Sequence, residues 1–349
     1  MTLFVMEPEL FSRHIIEQDQ DEFTRYDLKV PPGQHEEVRL DKYITNFIQN
    51  ATRNKVQEGI RNGWVRVNGE VEKSSYRVQA GDEIIIIIPK APPPEAVAEN
   101  IPLNIVYEDD SLIVIDKPPG MVVHPAYGNW SGTLVNALLY HTRNLANINS
   151  DKNELRPGIV HRLDKGTSGL LVVAKNEQVH HHLSRQFASK SVDRTYTAII
   201  WGLPQKDADT VTQPIGRDPS DRKKMAVMKE GNGKPAITHY KIIKRYDHLA
   251  WVDVTLETGR THQIRVHLSW QGYPILCDPL YGGNRVRYGP NTGTRKSMFQ
   301  NIFSVMQRQC LHARSLGFEH PASGTRLHFE SDIPDDMKQV INKLDRYCT

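Results

Sequence analysis

Cysteine is scarce: Cys277, Cys310 and Cys348 are the only three in 349 residues, and no two stand in a CxxC spacing. So small and odd a set argues against a disulfide scaffold, a structural zinc site and secretion, and leads us to expect a reducing cytoplasm. No apolar run approaches the ~20 residues a membrane span needs, so no membrane association is expected. The opening MTLFVMEPELFSRH lacks a basic segment followed by an apolar one, so no signal peptide is expected. Dinucleotide and P-loop glycine patterns are missing too, and neither a nucleotide cofactor nor a metal is expected. The histidines of His180-His181-His182 would point about 100° apart on a helix, which cannot close around one ion.

Acid is missing locally. From Pro279 to Phe318 there is no Asp or Glu, but there are Arg285, Arg287, Arg295, Lys296, Arg308 and Arg314. Residues 1–37 are the opposite, with nine acids against three bases, a charge of −6. Within a net charge of +3 the remainder is then +9. Such clustering suits a polyanion partner, although charge alone fits ordinary surface equally well.

A 38% hydrophobic and 24% charged composition marks a globular chain. Its length suggests two domains or slightly more, with core enough to need no covalent staples. Residues 1–35 show no clear periodicity and are expected to form an acidic mobile arm. A small module is expected over 36–90. Leu40, Ile44, Phe47 and Ile48 fall on one helical face. Thr52 suits the N-cap of a second helix carrying Val56 and Ile60 and ended by Gly63. WVRVNGEV then predicts a strand entering an Asn68-Gly69 hairpin turn, and IIIII at 84–88 a second strand. Residues 91–100, APPPEAVAEN, read as a Pro-rich linker.

A larger domain is expected over 101–349. NIVYEDDSLIVIDKPPG predicts two strands around an acidic turn, LLVVAK a buried strand, and 176–190 a helix with Val179, Leu183 and Phe187 on one face. RTYTAIIWG, HYKIIKRY and AWVDVTLET read as further strands, the last two alternating like antiparallel neighbours. The expected class is α+β, built on a mainly antiparallel mixed sheet. Cys277 and Cys310 are expected in apolar strands, and Trp64, Trp130 and Trp251 in the core.

Two segments carry chemistry. In GIVHRLDKGTSGLLVVAK (158–175), Asp164 lies between Arg162 and Lys165, which favour its ionised form. Gly166 and Gly169 permit a sharp turn and close approach of a ligand, and Thr167 and Ser168 can hold the loop by local hydrogen bonds. An ionised carboxylate so held suits a nucleophile or an electrostatic stabiliser at an electrophilic sugar carbon. In TGRTHQIRVHL, Thr261–His267 reads as a strand with Thr261, Gln263, Arg265 and His267 on one face, the wall of a site. A buried Arg265 needs a carboxylate, and Asp164 is the natural candidate. In the N-terminal module, Arg39, Lys42, Arg53, Lys55, Arg61, Arg66, Lys73 and Arg77 outnumber Asp41, Glu58, Glu70 and Glu72. Arg53, Lys55 and Arg61 flank the second helix, where phosphates can be met without reading sequence.

RLDKYI…ATRNKVQEGIRNGWVRVNGEVEKSSYRVQAGDEI resembles the RNA-binding module first known from ribosomal small-subunit protein four. HRLDKGTSGLL, preceded by DKPPGMVVHP and followed by TGRTHQIRVHL, resembles the RluA family of RNA pseudouridine synthases. GKPAITHY and QCLHARSLGFEHP extend the likeness. Module and linker together resemble the branch that modifies large-subunit ribosomal RNA. The resemblance implies a central active-site cleft, no cofactor, and an RNA partner, large-subunit ribosomal RNA or its precursor. It implies that Asp164 acts at C1′ of the target uridine, that Tyr196 packs on the uracil ring, and that Arg265 pairs with the aspartate. It also implies that Arg162 occupies the space left by the flipped base. Asp164 could then stabilise charge on the sugar, form a covalent adduct or remove a 2′ proton, and all three routes stay open. A monomer is expected.

Two other functions compete. One is a non-catalytic RNA-binding, ribosome-assembly protein on the same fold, which the intact Asp164, Tyr196 and Arg265 set opposes. The other is a nucleoside or glycoside hydrolase. Those usually work with two carboxylates, and no second acid accompanies Asp164 in its motif.

Overall fold

The computed structural model describes residues 15–19, 23–33, 37–48, 51–89, 96–126, 128–142, 158–221, 223–229 and 231–348. The chain divides into two compact units, Met1–Pro93 and Pro94–Thr349, each described here by itself.

The first unit orders strands β1 (Ile15–Asp19) and β2 (Phe23–Lys29), helices α1 (Leu40–Phe47) and α2 (Arg53–Arg61), and strands β3 (Val65–Val67) and β4 (Glu83–Pro89). They make one antiparallel sheet of order β1-β2-β4-β3. Both helices follow the expected pattern. Leu40 and Ile44 are buried from α1, Val56 and Ile60 from α2, and the Thr52 side chain caps α2 by accepting from the Lys55 N–H.

The expected acidic arm needs correction over its second half. Residues 23–29 form β2, paired along its whole length with β4. Leu28 and Val30 enter the core while Arg25, Asp27 and Lys29 alternate with them, a period-two signal that the acidic composition obscured. Residues 15–19 of the expected arm are likewise a strand, β1, paired with β2, while its residues 1–14, 20–22 and 34–35 lie outside the described residues, as do residues 91–95 of the linker. The Asn68-Gly69 turn forms with both residues at positive φ, but its return reaches only a single bridge, Val67 to Glu70. β3 pairs instead with β4, seventeen or more residues further on.

The second unit begins with β5 (Ile105–Glu108), β6 (Leu112–Lys117), α3 (Leu134–His141), β7 (Ser168–Ala174), α4 (Glu177–Ala188) and β8 (Asp193–Trp201). β9 (Ala208–Thr212), β10 (Ile215–Arg217), β11 (Met225–Val227), β12 (Ile237–Arg245), β13 (Leu249–Leu256) and α5 (Gln263–Trp270) follow. The chain closes with α6 (Gly293–Val305), β14 (Leu311–Glu319), β15 (Arg326–Glu330) and α7 (Asp335–Tyr347). The large sheet has the order β5-β6-β7-β14-β8-β13-β12-β9, with β15 also on β14, and among the described residues only β14 with β7 runs parallel.

Apolar runs such as LIVI and LLVVA are continuous because both faces of the sheet are covered. Ile113, Ile115, Leu171 and Val173 pack into one core with α3, whereas Leu112, Val114, Leu170 and Val172 pack into another with Val179 and Leu183 of α4. β7 enters beside β14 so closely that a Cβ on Gly169 would lie 2.2 Å from the Ala313 carbonyl oxygen, and its φ of 112° also demands glycine.

Three expectations fail locally. Thr261–His267 is not a strand: α5 starts at Gln263, with His262 at its N-cap in the left-handed region. Cys277 is buried in a turn at positive φ, and Cys310 lies just before β14, so neither is in a strand. Trp130 is 41% exposed rather than core.

Candidate active site

The loop between Ile159 and β7 carries Asp164 on irregular backbone, and distant segments fix it. The Thr167 N–H closes the turn onto the Asp164 carbonyl at 3.0 Å, and the Gly120 N–H donates to the Lys165 carbonyl at 2.7 Å. Arg308 Nη1 donates to the Gly166 carbonyl at 2.9 Å while Asp336 holds its other nitrogens. Gln309 Nε2 donates to Thr167 Oγ1 at 3.0 Å, and its amide lies 2.5 Å from where a Cβ on Gly166 would stand. His161, just upstream, accepts the Val172 N–H on Nε2 and stacks on Phe187. Burial, reinforced by Arg194, pushes its pKa down to about 3, so it braces the loop as a neutral ring.

Arg265 joins this loop to α5. Its Nη1 donates to Asp164 Oδ2 at 2.9 Å, and its Nε and Nη2 grip both oxygens of Asp278 at 2.7 and 3.0 Å. Arg265 is 6% exposed and Asp278 fully buried. Hydrogen bonds and charge from the two carboxylates outweigh burial and raise the Arg265 pKa, so the guanidinium is always charged. Asp164 has no hydrogen bond on Oδ1 among the described residues, and its side chain keeps 18% of its surface exposed.

His262 completes the cluster, its Nε2 lying 3.9 Å from Asp164 Oδ2. Tyr281 Oη accepts the Met225 N–H and lies 2.9 Å from His262 Nδ1. Donation of the phenol proton to Nδ1 would leave the imidazole proton on Nε2, facing the carboxylate. Burial holds His262 below its ordinary pKa despite Asp164, so the ring is neutral.

Asp164 stands between two openings. One is a cavity of about 420 Å³ lined by His161, Arg162, Arg194, Tyr196, His262 and Arg265 among others. The other, of about 810 Å³, shares Arg162, Leu163, Asp164, His262 and Arg265 and continues to Pro279 and Arg308. The sequence-selected Asp164, Tyr196, Arg265 and Arg162 thus meet at one place, with Arg162 exposed where the openings join. Asp278 lines neither opening; the acids that do are committed elsewhere, Glu257 at the first to Lys190 and His239 and Asp336 at the second to Arg308. Tyr196 is buried on β8, and burial raises its phenol pKa.

Arg53, Lys55 and Arg61 are on α2 of the first unit. Arg53 is partly committed: its Nε donates to Asp41, which Arg39 and Gln57 also bind. These donors, Arg39 foremost, hold the fully buried Asp41 carboxyl far below the usual carboxylate range. Lys55 and Arg61 are exposed.

Sequence reasoning overlooked Arg194, His262, Tyr281, Asp278 and Lys117. Arg194 was recoverable, since alternation on β8 puts it on the face of Tyr196. Lys117 is fully buried at the end of β6, its Nζ donating to the Pro118 and Met121 carbonyls at 2.8 and 3.0 Å. That turn presents Gly120 to the Asp164 loop. Burial, then Arg308, pushes the Lys117 pKa down to about 7. The unfolded lysine titrates near ~10.4, so the unfolded chain holds the extra proton between these values and stability rises with pH across that window. Urea unfolding of wild type and Lys117→Met at pH 6.5, 8 and 9.5 should show wild type gaining on the variant as pH rises. Parallel stability curves would remove the buried cation as their cause.

Residues 111–270 match the family model described as RNA pseudouridylate synthase, and residues 38–84 match the S4 domain. The chain is 48% identical over 309 residues to an uncharacterized RNA pseudouridine synthase of Chlorobaculum parvum, covering 88% of this chain and 94% of that protein. It is 42% identical over 306 residues to ribosomal large subunit pseudouridine synthase D of Pseudomonas aeruginosa, covering 88% and 92%. Among solved structures, human RNA pseudouridylate synthase domain containing 4 superposes with a TM-score of 0.51 at 25% identity, covering 69% of this chain and 93% of that one.

Proposed function

The chain belongs to the RNA pseudouridine synthase family, and from that membership we propose that it isomerises uridines of large-subunit ribosomal RNA, with Asp164 as the catalytic group. One observation carries the role of Asp164: it is a carboxylate with one oxygen held by a buried Arg265 and the other unbonded, at the junction of two cavities.

The reaction breaks N1–C1′ and makes C5–C1′. A proton leaves C5 and N1 ends protonated, so no atom is gained or lost. The uridine must first leave its stack, which costs a few kcal/mol. The 420 Å³ cavity suits the extruded nucleotide, with Tyr196 against the ring returning ~1–3 kcal/mol. Arg162, at the join of the openings, suits the space the base leaves. Arg194 lines the same cavity beside Tyr196 and brings a cation to the wall where a uracil carbonyl would lie. Asp164 Oδ1 then meets the positive charge that develops at C1′ as the glycosidic bond breaks.

Lys55 and Arg61, with the remaining donors of Arg53, suit phosphate contacts of the S4-type unit. Three buried free thiols, Cys277, Cys310 and Cys348, suit the reducing cytoplasm. The reading as a non-catalytic assembly factor is not favoured, because it leaves the Asp164–Arg265–Asp278 arrangement without a purpose.

The test is to incubate the purified chain with unmodified large-subunit ribosomal RNA and map alkali-resistant carbodiimide adducts by primer extension. New stops at discrete uridines are expected. Stops on transfer RNA alone would reject the ribosomal target, and stops on neither would reject the activity.

A further inference from the structure

Apart from Tyr281 and Arg308, the acid-free run after Pro279 takes no part in the site described above, and part of it borders a groove of about 620 Å³ on the far side of α5. Val266, Ser269 and Trp270, at i, i+3 and i+4, form the helix face that lines it, whereas Ile264 and Arg265 line the cavity at Asp164. Trp270 is 54% exposed, unusual for so large an apolar ring.

The groove is basic. Lys224, Arg285 and Arg287 line it against a single acid, Asp218, whose Oδ1 is occupied by the Ser220 hydroxyl and the N–H groups of Ser220 and Asp221. Both arginines are exposed, and neither has an ion pair among the described residues. Lys224 has only a loose pairing with Asp221 at 3.6 Å. Not every base of the run is available: Arg308 is tied to Asp336 and Arg314 to Asp253. The free charge therefore gathers beside the exposed indole.

The groove also adjoins the site. Pro279 lines both this groove and the 810 Å³ opening at Asp164, and Tyr281 walls the groove while its hydroxyl bonds His262. An aromatic face with cations spaced around it is the arrangement that holds single-stranded nucleic acid.

We propose that this groove holds unpaired RNA flanking the target uridine, one base stacked on Trp270 and the neighbouring phosphates on Arg285, Arg287 and Lys224. The proposal rests on the ribosomal RNA reading above and adds to it how the strand is held outside the site.

The experiment uses the full chain and an unmodified large-subunit RNA fragment containing a mapped target. Trp270→Ala should weaken RNA binding roughly 5- to 150-fold, the span expected for one lost stack, and Trp270→Phe should recover most of it. Arg285→Ala with Arg287→Ala should reduce the slope of log affinity against log salt by about 1.4, two single-strand phosphates. Turnover at saturating RNA should stay within about twofold for each variant. Unchanged affinity and slope in these variants, with an active wild type, would overturn the groove proposal and leave the function standing. An inactive wild type would instead fail the function, while the affinity and slope would still judge the groove. If a stably bound protein rather than RNA is lost on Trp270→Ala and RNA affinity is unchanged, the occupant is protein and the proposal is wrong.

Discussion

Asp164→Asn should reduce pseudouridine formation by roughly 10⁴-fold or more while the protein remains folded and bound to RNA within a few fold. The size follows from removing a group that acts on the reacting carbon itself; loss of an essential nucleophile costs this much or more in other enzymes. Folding should survive because the asparagine oxygen still accepts from Arg265, and Arg265 keeps its two bonds to Asp278. The buried guanidinium is thus never stranded. Single-turnover assays at saturating RNA, with binding measured on the same RNA, decide the matter. Turnover near wild type would reject Asp164 as the reacting group, and so would a loss explained by failed binding.

Arg265→Met should be harmful in a different way. It strands the fully buried Asp278 and frees Asp164 together, and breaking a buried pair from one side costs about 3–5 kcal/mol. For a unit of this size that is a drop in Tm of order 10 °C. Activity should fall with it, because Asp164 loses the contact that aims it. Asp278→Asn separates the two effects. Its amide oxygen can keep bonds that Asp278 makes with the Leu280 and Tyr281 N–H groups and with one arm of Arg265. The Arg265 to Asp164 contact remains. Asp278→Asn should therefore lose stability yet keep most of kcat, whereas Arg265→Met should lose both. Equal kcat losses in the two variants would mean that Arg265 acts only as part of the scaffold.

What could be read in the sequence was whatever a short window determines. Apolar runs announced β6 and β7 because both sheet faces bury side chains, and Thr52 announced α2 through its own side chain. The motif around Asp164 was legible because glycine, threonine and charge crowd into a few residues. The error at Thr261–His267 is instructive. Alternating polar residues looked like one strand face, yet on α5 they turn different ways. Gln263 and His267, a turn apart, both reach Thr238 on β12, while Arg265 faces Asp164. Each buried polar group finds its own partner, and the alternation was coincidental. Asp278 was hidden because its importance depends on a partner thirteen residues away. The insertion of β14 between β7 and β8 joins segments separated by more than a hundred residues, and no local pattern encodes it.

That late insertion sets a schedule for biosynthesis. Strand β14 contributes residues 311–319 to the middle of the large sheet, and Arg308, anchored by Asp336, grips the Gly166 carbonyl. A ribosome must therefore have released nearly the whole polypeptide before the Asp164 loop can take its shape. The first unit, compact in its own right, is free to assemble long before. A nascent chain would then be able to engage RNA well before it is able to alter it.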